Sequence, residues 1–164
     1  MGDVTTLTGM VFEKMLKYLP KWLIRRIYPT TRIAQEIRID LRSNVPIQIA
    51  RYDIPKISLY FTITNHSLVD LVLDRLLIEI HISSQPILYG ILLERHNIPK
   101  RETTGIYFED LLTSLQAEHL KKRTSEIKMI EYLQVDVKAY FESNSGIIKL
   151  EKSNLSARNV ECDL

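Results

Sequence analysis

Four histidines, one cysteine and a scatter of carboxylates are the groups in this sequence with metal-binding, nucleophilic or acid–base chemistry to offer. Their spacing assembles no constellation. His66, His81, His96 and His119 stand far apart, and none forms the H-E-x-x-H pair that two ligands on one helix face require. His81 falls on the polar side of an alternating run, while His66 and His96 lie in or near turns, the positions of solvated surface histidines. Glu94 and Glu109 could meet across paired strands, but general acid–base work also needs a cleft and shifted pKa values. There is no G-x-S-x-G elbow, no P-loop and no G-x-G-x-x-G loop. Cys162 sits in a tail with no basic helix end beside it to form a thiolate. The expectation is a protein with no catalytic residues, no metal and no cofactor.

Tyr60, Tyr89, Tyr107, Tyr132 and Tyr140 admit two readings. Sharing one sheet face, they would make a surface for a protein partner; paired across strands, they would only stiffen the sheets, which is the simpler reading.

The remaining candidate surface lies at the front of the chain. From Met10 to Tyr28 the apolar residues step by three and four through Phe12, Met15, Leu16, Leu19, Trp22, Leu23 and Ile27, the signature of one helix face. Lys14, Lys17, Lys21 and Arg25 repeat with the same spacing on another face. Thr6 or Thr8 can cap the start, Pro29 gives a stop, and Pro20 removes a backbone donor mid-way, so the helix kinks there or splits. Lysines interrupt every apolar run, which excludes both a spanning helix and a secretory signal. Two uses suit such a segment. It can lie in an anionic membrane interface, or its apolar face can pack on the rest of the chain, on a protein partner or on a second copy in a homo-oligomer. The candidate contact residues are Phe12, Lys14, Met15, Leu16, Lys17, Leu19, Lys21, Trp22, Leu23 and Arg25.

Charge supports placing that contact at the front. Residues 1–32 hold six basic and two acidic side chains, a net of +4, and the remainder holds 16 against 18, a net of −2. With an overall charge of +2 and no recognition motif, no nucleic-acid partner is expected. A single cysteine cannot close an internal disulfide, which fits a reducing, cytoplasmic setting with peripheral attachment at a membrane. At 164 residues the chain has about one domain's length, and its 45% apolar content is enough for a core.

After Pro29 the period changes from helical to alternating. Ile37–Ile39–Leu41, Ile57–Leu59–Phe61–Ile63, Leu76–Ile78–Ile80–Ile82 and Leu133–Val135–Val137–Ala139–Phe141 each alternate with mostly polar residues, Leu77 being an apolar exception. Further strands are expected at 87–94, 103–109, 147–150 and near 155–160, with turns at 43–46, 65–67, 84–86, 97–99 and 144–146. Period-two alternation means one buried and one wet face, so the sheets should be mostly antiparallel. About seven strands at this spacing make a sandwich or barrel. Helical spacing at Leu112, Leu115, His119 and Lys122 predicts one short helix within 111–123. The domain organisation expected is a basic amphipathic segment over 1–32 and one β-domain over 33–164.

The order of these features resembles a known family. LYFTITNHSLVDLVLDRLLIEIHI (59–82) is similar to the strand, Asn-containing turn and strand of the LEA14-like proteins, the LEA type 2 or WHy (water stress and hypersensitive response) domain. ILYGILLE with Gly90, NIPKRETTGIYF, and the hairpin LQVDVKAYFESNSGIIKL with Gly146 continue the likeness over roughly residues 37–160. His66 departs from it, standing where the family has a proline, which should leave that turn less rigid; the basic front helix is not part of the family's pattern. The resemblance implies an immunoglobulin- or fibronectin-like β-sandwich without enzymatic activity, connected with stress protection and, in some members, with membranes.

Overall fold

The computed structural model of the chain describes residues 15, 18–42, 47–50, 55–82, 85–118, 122, 133–157 and 160–163. Among the described residues two short helices, α1 (Lys21–Ile27) and α2 (Thr30–Gln35), precede ten strands. In order these are β1 (Ile37–Leu41), β2 (Ile47–Ala50), β3 (Lys56–Asn65), β4 (Leu71–Ile82), β5 (Gln85–Leu92), β6 (His96–Ile98), β7 (Thr103–Leu111), β8 (Leu133–Ser143), β9 (Gly146–Ala157) and β10 (Val160–Asp163). They form two sheets. In the first, β3 pairs with β1 and β2 and also with β7, and β10 extends β2; in the second the order is β5-β4-β8-β9, with β6 also paired to β4. Every pairing is antiparallel except β10 on β2, which runs parallel. The fold is the mostly antiparallel β-sandwich the alternation predicts. It has three short strands beyond the clear periodic runs. β2 follows a predicted turn, β6 occupies Asn97 and Ile98 where a turn is expected, because β4 supplies its partner, and β10 starts at Val160. The strands expected at 147–150 and from 155 merge into β9.

The core lies where the two inner faces meet. Ile57, Leu59, Phe61 and Ile63 of β3, with Ile106 and Phe108 of β7, bury against Leu76, Ile78 and Ile80 of β4 and Leu133, Val135, Val137, Ala139 and Phe141 of β8. Alternation alone does not carry β4 through. Its inward residues are Leu71 and Leu73, then Leu76, Ile78 and Ile80, and the change of phase is a bulge between Leu73 and Arg75. One extra residue there turns Arg75 and Glu79 outward; without it they would point into the core. Gly90 is the small residue its strand needs: a Cβ at that position would stand 2.3 Å from the Phe108 ring on the opposite sheet.

The turn after β3 is held by side chains. Asn65, fully buried, donates from Nδ2 to the carbonyls of Val69 (2.9 Å) and Ile98 (3.2 Å), and its Oδ1 accepts from the Ser67 amide (3.0 Å). Ser67 Oγ donates to Val69 O as well (3.1 Å). The His66 amide donates to Glu36 O at 2.8 Å, a bond a proline at that position could not make. The expected looseness of this turn is therefore offset: buried hydrogen bonds fix it in place of a pyrrolidine ring. The predicted turn at 144–146, between β8 and β9, is a two-residue hairpin loop followed by Gly146 at φ +127°. In the expected helical stretch, residues 114–118 are helical, started by a reciprocal cap in which Thr113 and Gln116 bond each other's backbone amides. Its remaining predicted members His119, Lys121 and Arg123 lie outside the described residues, as does Tyr132.

Candidate functional site

The front segment is built around two prolines. Pro20 occupies the N-cap of α1 and its carbonyl accepts from Leu23 and Ile24, so the helix starts just after Pro20, where a missing backbone donor costs nothing. Pro29 does the same for α2. Neither helix has a side-chain cap. Isolated helices of seven and six residues do not persist in water, so packing must hold them.

That packing runs through Ile24 and Tyr28, one turn apart on α1, and Ile33 on α2, all buried. Tyr28 is the clamp. Its hydroxyl donates to the Glu36 carboxylate and accepts from the Leu68 amide (3.3 Å), while Arg32 lies over its ring at 5.2 Å and reaches Glu36 at 3.5 Å. Burial, then the Glu36 carboxylate, push the phenol up to about 12. The boundary expected at residues 32 and 33 falls inside α2.

With Ile24 and Tyr28 turned inward, α1 presents another face to solvent. Trp22 is 65% exposed, and Arg25 and Arg26, three and four positions on, are exposed beside it. Met15 and Tyr18 are exposed upstream, and Leu19 and Leu23 are half-buried. Of the ten expected contact residues the structure thus brings Trp22 and Arg25 together on the outer face, with Leu23 at its margin. Phe12, Lys14, Leu16 and Lys17 lie outside the described residues, as does the Lys21 side chain. Sequence reasoning missed Arg26, whose signal was its i+4 spacing from Trp22. It also missed the anchoring roles of Ile24 and Tyr28, an i, i+4 apolar pair hidden by the more obvious stripe through Trp22 and Leu23.

The other groups with chemical potential are arranged as follows. On the outer face of the first sheet, Glu109 receives a hydrogen bond from Tyr107, a salt bridge from Lys56 (2.9 Å) and a longer bond from Ser58 Oγ (3.3 Å). Tyr107 first, then Lys56, hold the Glu109 carboxyl below its ordinary range, and Glu109 pushes the Tyr107 phenol up. A carboxylate made less basic and a phenol made less acidic are the opposite of what proton transfer near neutrality calls for. Glu94 and Glu109 do not meet: Glu109 pairs with Ser58 in the first sheet, and Glu94 follows β5 in the second, 3.7 Å from His96. Tyr60 and Tyr107 pair across β3 and β7 at 4.8 Å, while Tyr140 packs under Arg75 (4.4 Å) on the second sheet. Tyr60, Tyr107 and Tyr140 are therefore divided between two faces in cross-strand and cation–π pairs, while Tyr89 stands exposed on the second sheet. His81 Nε2 lies between Glu79 (3.4 Å) and Asp136 (3.6 Å) on the second sheet's outer face. Among the described residues, no three His, Cys, Asp or Glu side chains group to hold a metal ion, and no helix is long and apolar enough to cross a membrane.

No family model and no curated protein matches the chain. Solved structures similar to it include a protein from Archaeoglobus fulgidus, 12% identical, covering 73% of this chain and 94% of its own with a TM-score of 0.43. A structural-genomics target named SoR45 is 13% identical over 76% of this chain and 86% of its own, with a TM-score of 0.48. A provisionally named late embryogenesis abundant (LEA) protein is 11% identical over 92% of this chain and 86% of its own, with a TM-score of 0.46.

Proposed function

We propose that this chain is a non-catalytic β-sandwich protein of the LEA14-like type that attaches peripherally to anionic membrane surfaces through its front segment. Its setting would be the cytoplasmic face of a membrane under stress. One observation carries the membrane reading: Trp22 stands 65% exposed between Arg25 and Arg26 on a helix whose opposite face is pinned to the sandwich. An indole costs hydration when left in water and gains at a lipid interface, and each neighbouring guanidinium adds about 1 kcal/mol near an anionic surface. Because Tyr28 ties the end of the helix to Glu36 and Leu68, this face is presented with a reduced ordering cost on binding. The same anchoring also favours a second reading. The inner face already has its partner in the sandwich, so the outer face is left free for a protein partner in a soluble interaction module.

Vesicle co-sedimentation of the intact chain separates the two. Binding to anionic vesicles at low salt, weaker binding to neutral ones and loss of binding as salt screens the arginines are the expected results. Trp22→Asp with Arg26→Ala should reduce binding at least about tenfold, the effect of about 1.4 kcal/mol or more. An intact chain that ignores anionic vesicles at low salt would refute the membrane reading and leave the protein partner.

A further inference from the structure

Sandwich proteins expose sheet edges, and natural ones blunt them with charge, shortness or cover, because an unpaired flat edge is a template for another strand. Most edges here follow that rule. β6 is three residues long; β1 carries Arg38 and Asp40; β7 carries Glu109 and Asp110; β9 carries Lys149, Glu151 and Lys152, with α2 against it. β5 does not. It ends its sheet, pairing among the described residues with β4 alone, and QPILYGIL contains no charged residue. Its outward side chains are largely apolar and exposed: Tyr89, its hydroxyl bonded to Glu79, is 68% exposed and Ile91 60%, followed by Leu93 at 70%. Its start is closed: Pro86 has no amide hydrogen to offer, and Gln116 Nε2 donates to Ile87 O at 2.6 Å, while among the described residues no strand other than β4 pairs with residues 88–92.

We propose that β5 is the docking edge for a second copy of this chain, the two strands pairing antiparallel about a two-fold axis at Gly90. The strand is self-complementary in that register. Tyr89 faces Ile91 of the second copy on the outer surface, twice over, an aromatic–β-branched pair of the kind that stabilises sheets. Leu88 faces Leu92 of the second copy on the inner side, and the axis falls on a residue with no side chain to clash. No like charges are opposed, because none lies between Gln85 and Leu93. The same contact adjoins a groove of about 500 Å³ on the second sheet, which Tyr89 and Ile91 line together with Leu77, Glu79, Asp136 and Lys138. This edge is separate from α1, so the pairing stands or falls independently of the membrane reading.

The test is sedimentation velocity of the intact chain over about 1 to about 200 µM without lipid, with Ile91→Lys and Trp22→Asp as variants. The wild type and Trp22→Asp should shift to dimer with concentration. Ile91→Lys should weaken dimerisation at least about tenfold, with a thermal midpoint equal to the wild type's at dilutions where both are monomers, since a wet-face change barely touches the monomer. Register is read by cross-linking. In a Cys162→Ser background, Tyr89→Cys chains mixed with Ile91→Cys chains should give a disulfide-linked heterodimer in preference to either homodimer. A monomer throughout, a dimer indifferent to Ile91→Lys, one lost with Trp22→Asp, or preferential homodimer cross-links would each overturn the proposal.

Discussion

Replacing Asn65 by alanine should be among the most damaging single changes a polar residue here can suffer. Its amide is fully buried and ties three segments together: the end of β3, the turn at Ser67–Val69 and β6 at Ile98. Three hydrogen bonds at a net of about 1 kcal/mol each, plus a small cavity, give a loss of about 3–4 kcal/mol. Val69 O keeps its bond from Ser67 Oγ, which limits the penalty at that carbonyl. For a chain of this size the loss corresponds to a fall of roughly 6–16 °C in Tm. Urea denaturation followed by circular dichroism measures it, with Thr64→Ala as the control. Thr64 also bonds across strands, to Thr103 Oγ1 at 2.9 Å, but in an exposed position, so its loss should cost about 0.5 kcal/mol or less. Asn65→Asp adds a pH signature. A carboxylate there would still accept from Ser67 but would face two carbonyl oxygens, so its folded-state pKa would be raised above about 3.9. A raised pKa gives stability that is present below the unfolded value and lost as pH rises, so the deficit of the Asp variant should shrink toward pH about 4. An Asn65→Ala loss no larger than that of Thr64→Ala would refute the view that this amide fixes the turn.

Three further outcomes are expected. Tyr28 titrates at about 12 when folded against 10.0 when unperturbed, so its contribution is intact below pH 10 and is lost as pH rises toward 12. The alkaline fall attributable to it should reach about 2–3 kcal/mol, and Tyr28→Phe should flatten that part of the profile in chemical denaturation at graded pH. Gly90→Ala should cost about 1–3 kcal/mol in the same assay, because the new methyl meets the buried Phe108 ring, and pairing it with Phe108→Leu should recover part of the loss. Truncation separates two parts of the front segment: a chain starting at Lys21 should keep its thermal midpoint to within a few degrees. One starting at Ile33 should lose roughly 3–5 kcal/mol with Ile24 and the Tyr28 clamp, read as a large drop in midpoint.

Much of the sandwich was legible in the sequence because a half-buried strand writes its two faces into alternate residues. Val135, Val137 and Phe141 declare the inside of β8 as plainly as Lys138 declares its outside, and Asn144–Gly146 declares the hairpin that follows. The start of α1 after Pro20 was legible too, since Pro20 cannot donate a hydrogen bond wherever it is placed. What period alone could not give was anything that depends on which segments meet. β2, β6 and β10 are three or four residues long and exist because a neighbour supplies the other half of the ladder. The parallel pairing of β10 with β2 joins strands more than a hundred residues apart, and no local pattern encodes it. On α1, the stripe through Trp22 and Leu23 and the pair Ile24 and Tyr28 are both apolar and both helically spaced. Only the sandwich decides between them, by offering Leu68 and Glu36 as partners for the Tyr28 hydroxyl and leaving Trp22 in solvent. Sequence determined that an amphipathic segment precedes a two-faced sheet protein; tertiary contact determined which apolar face is core and which is surface, because burial is a property of the neighbours and not of the residue.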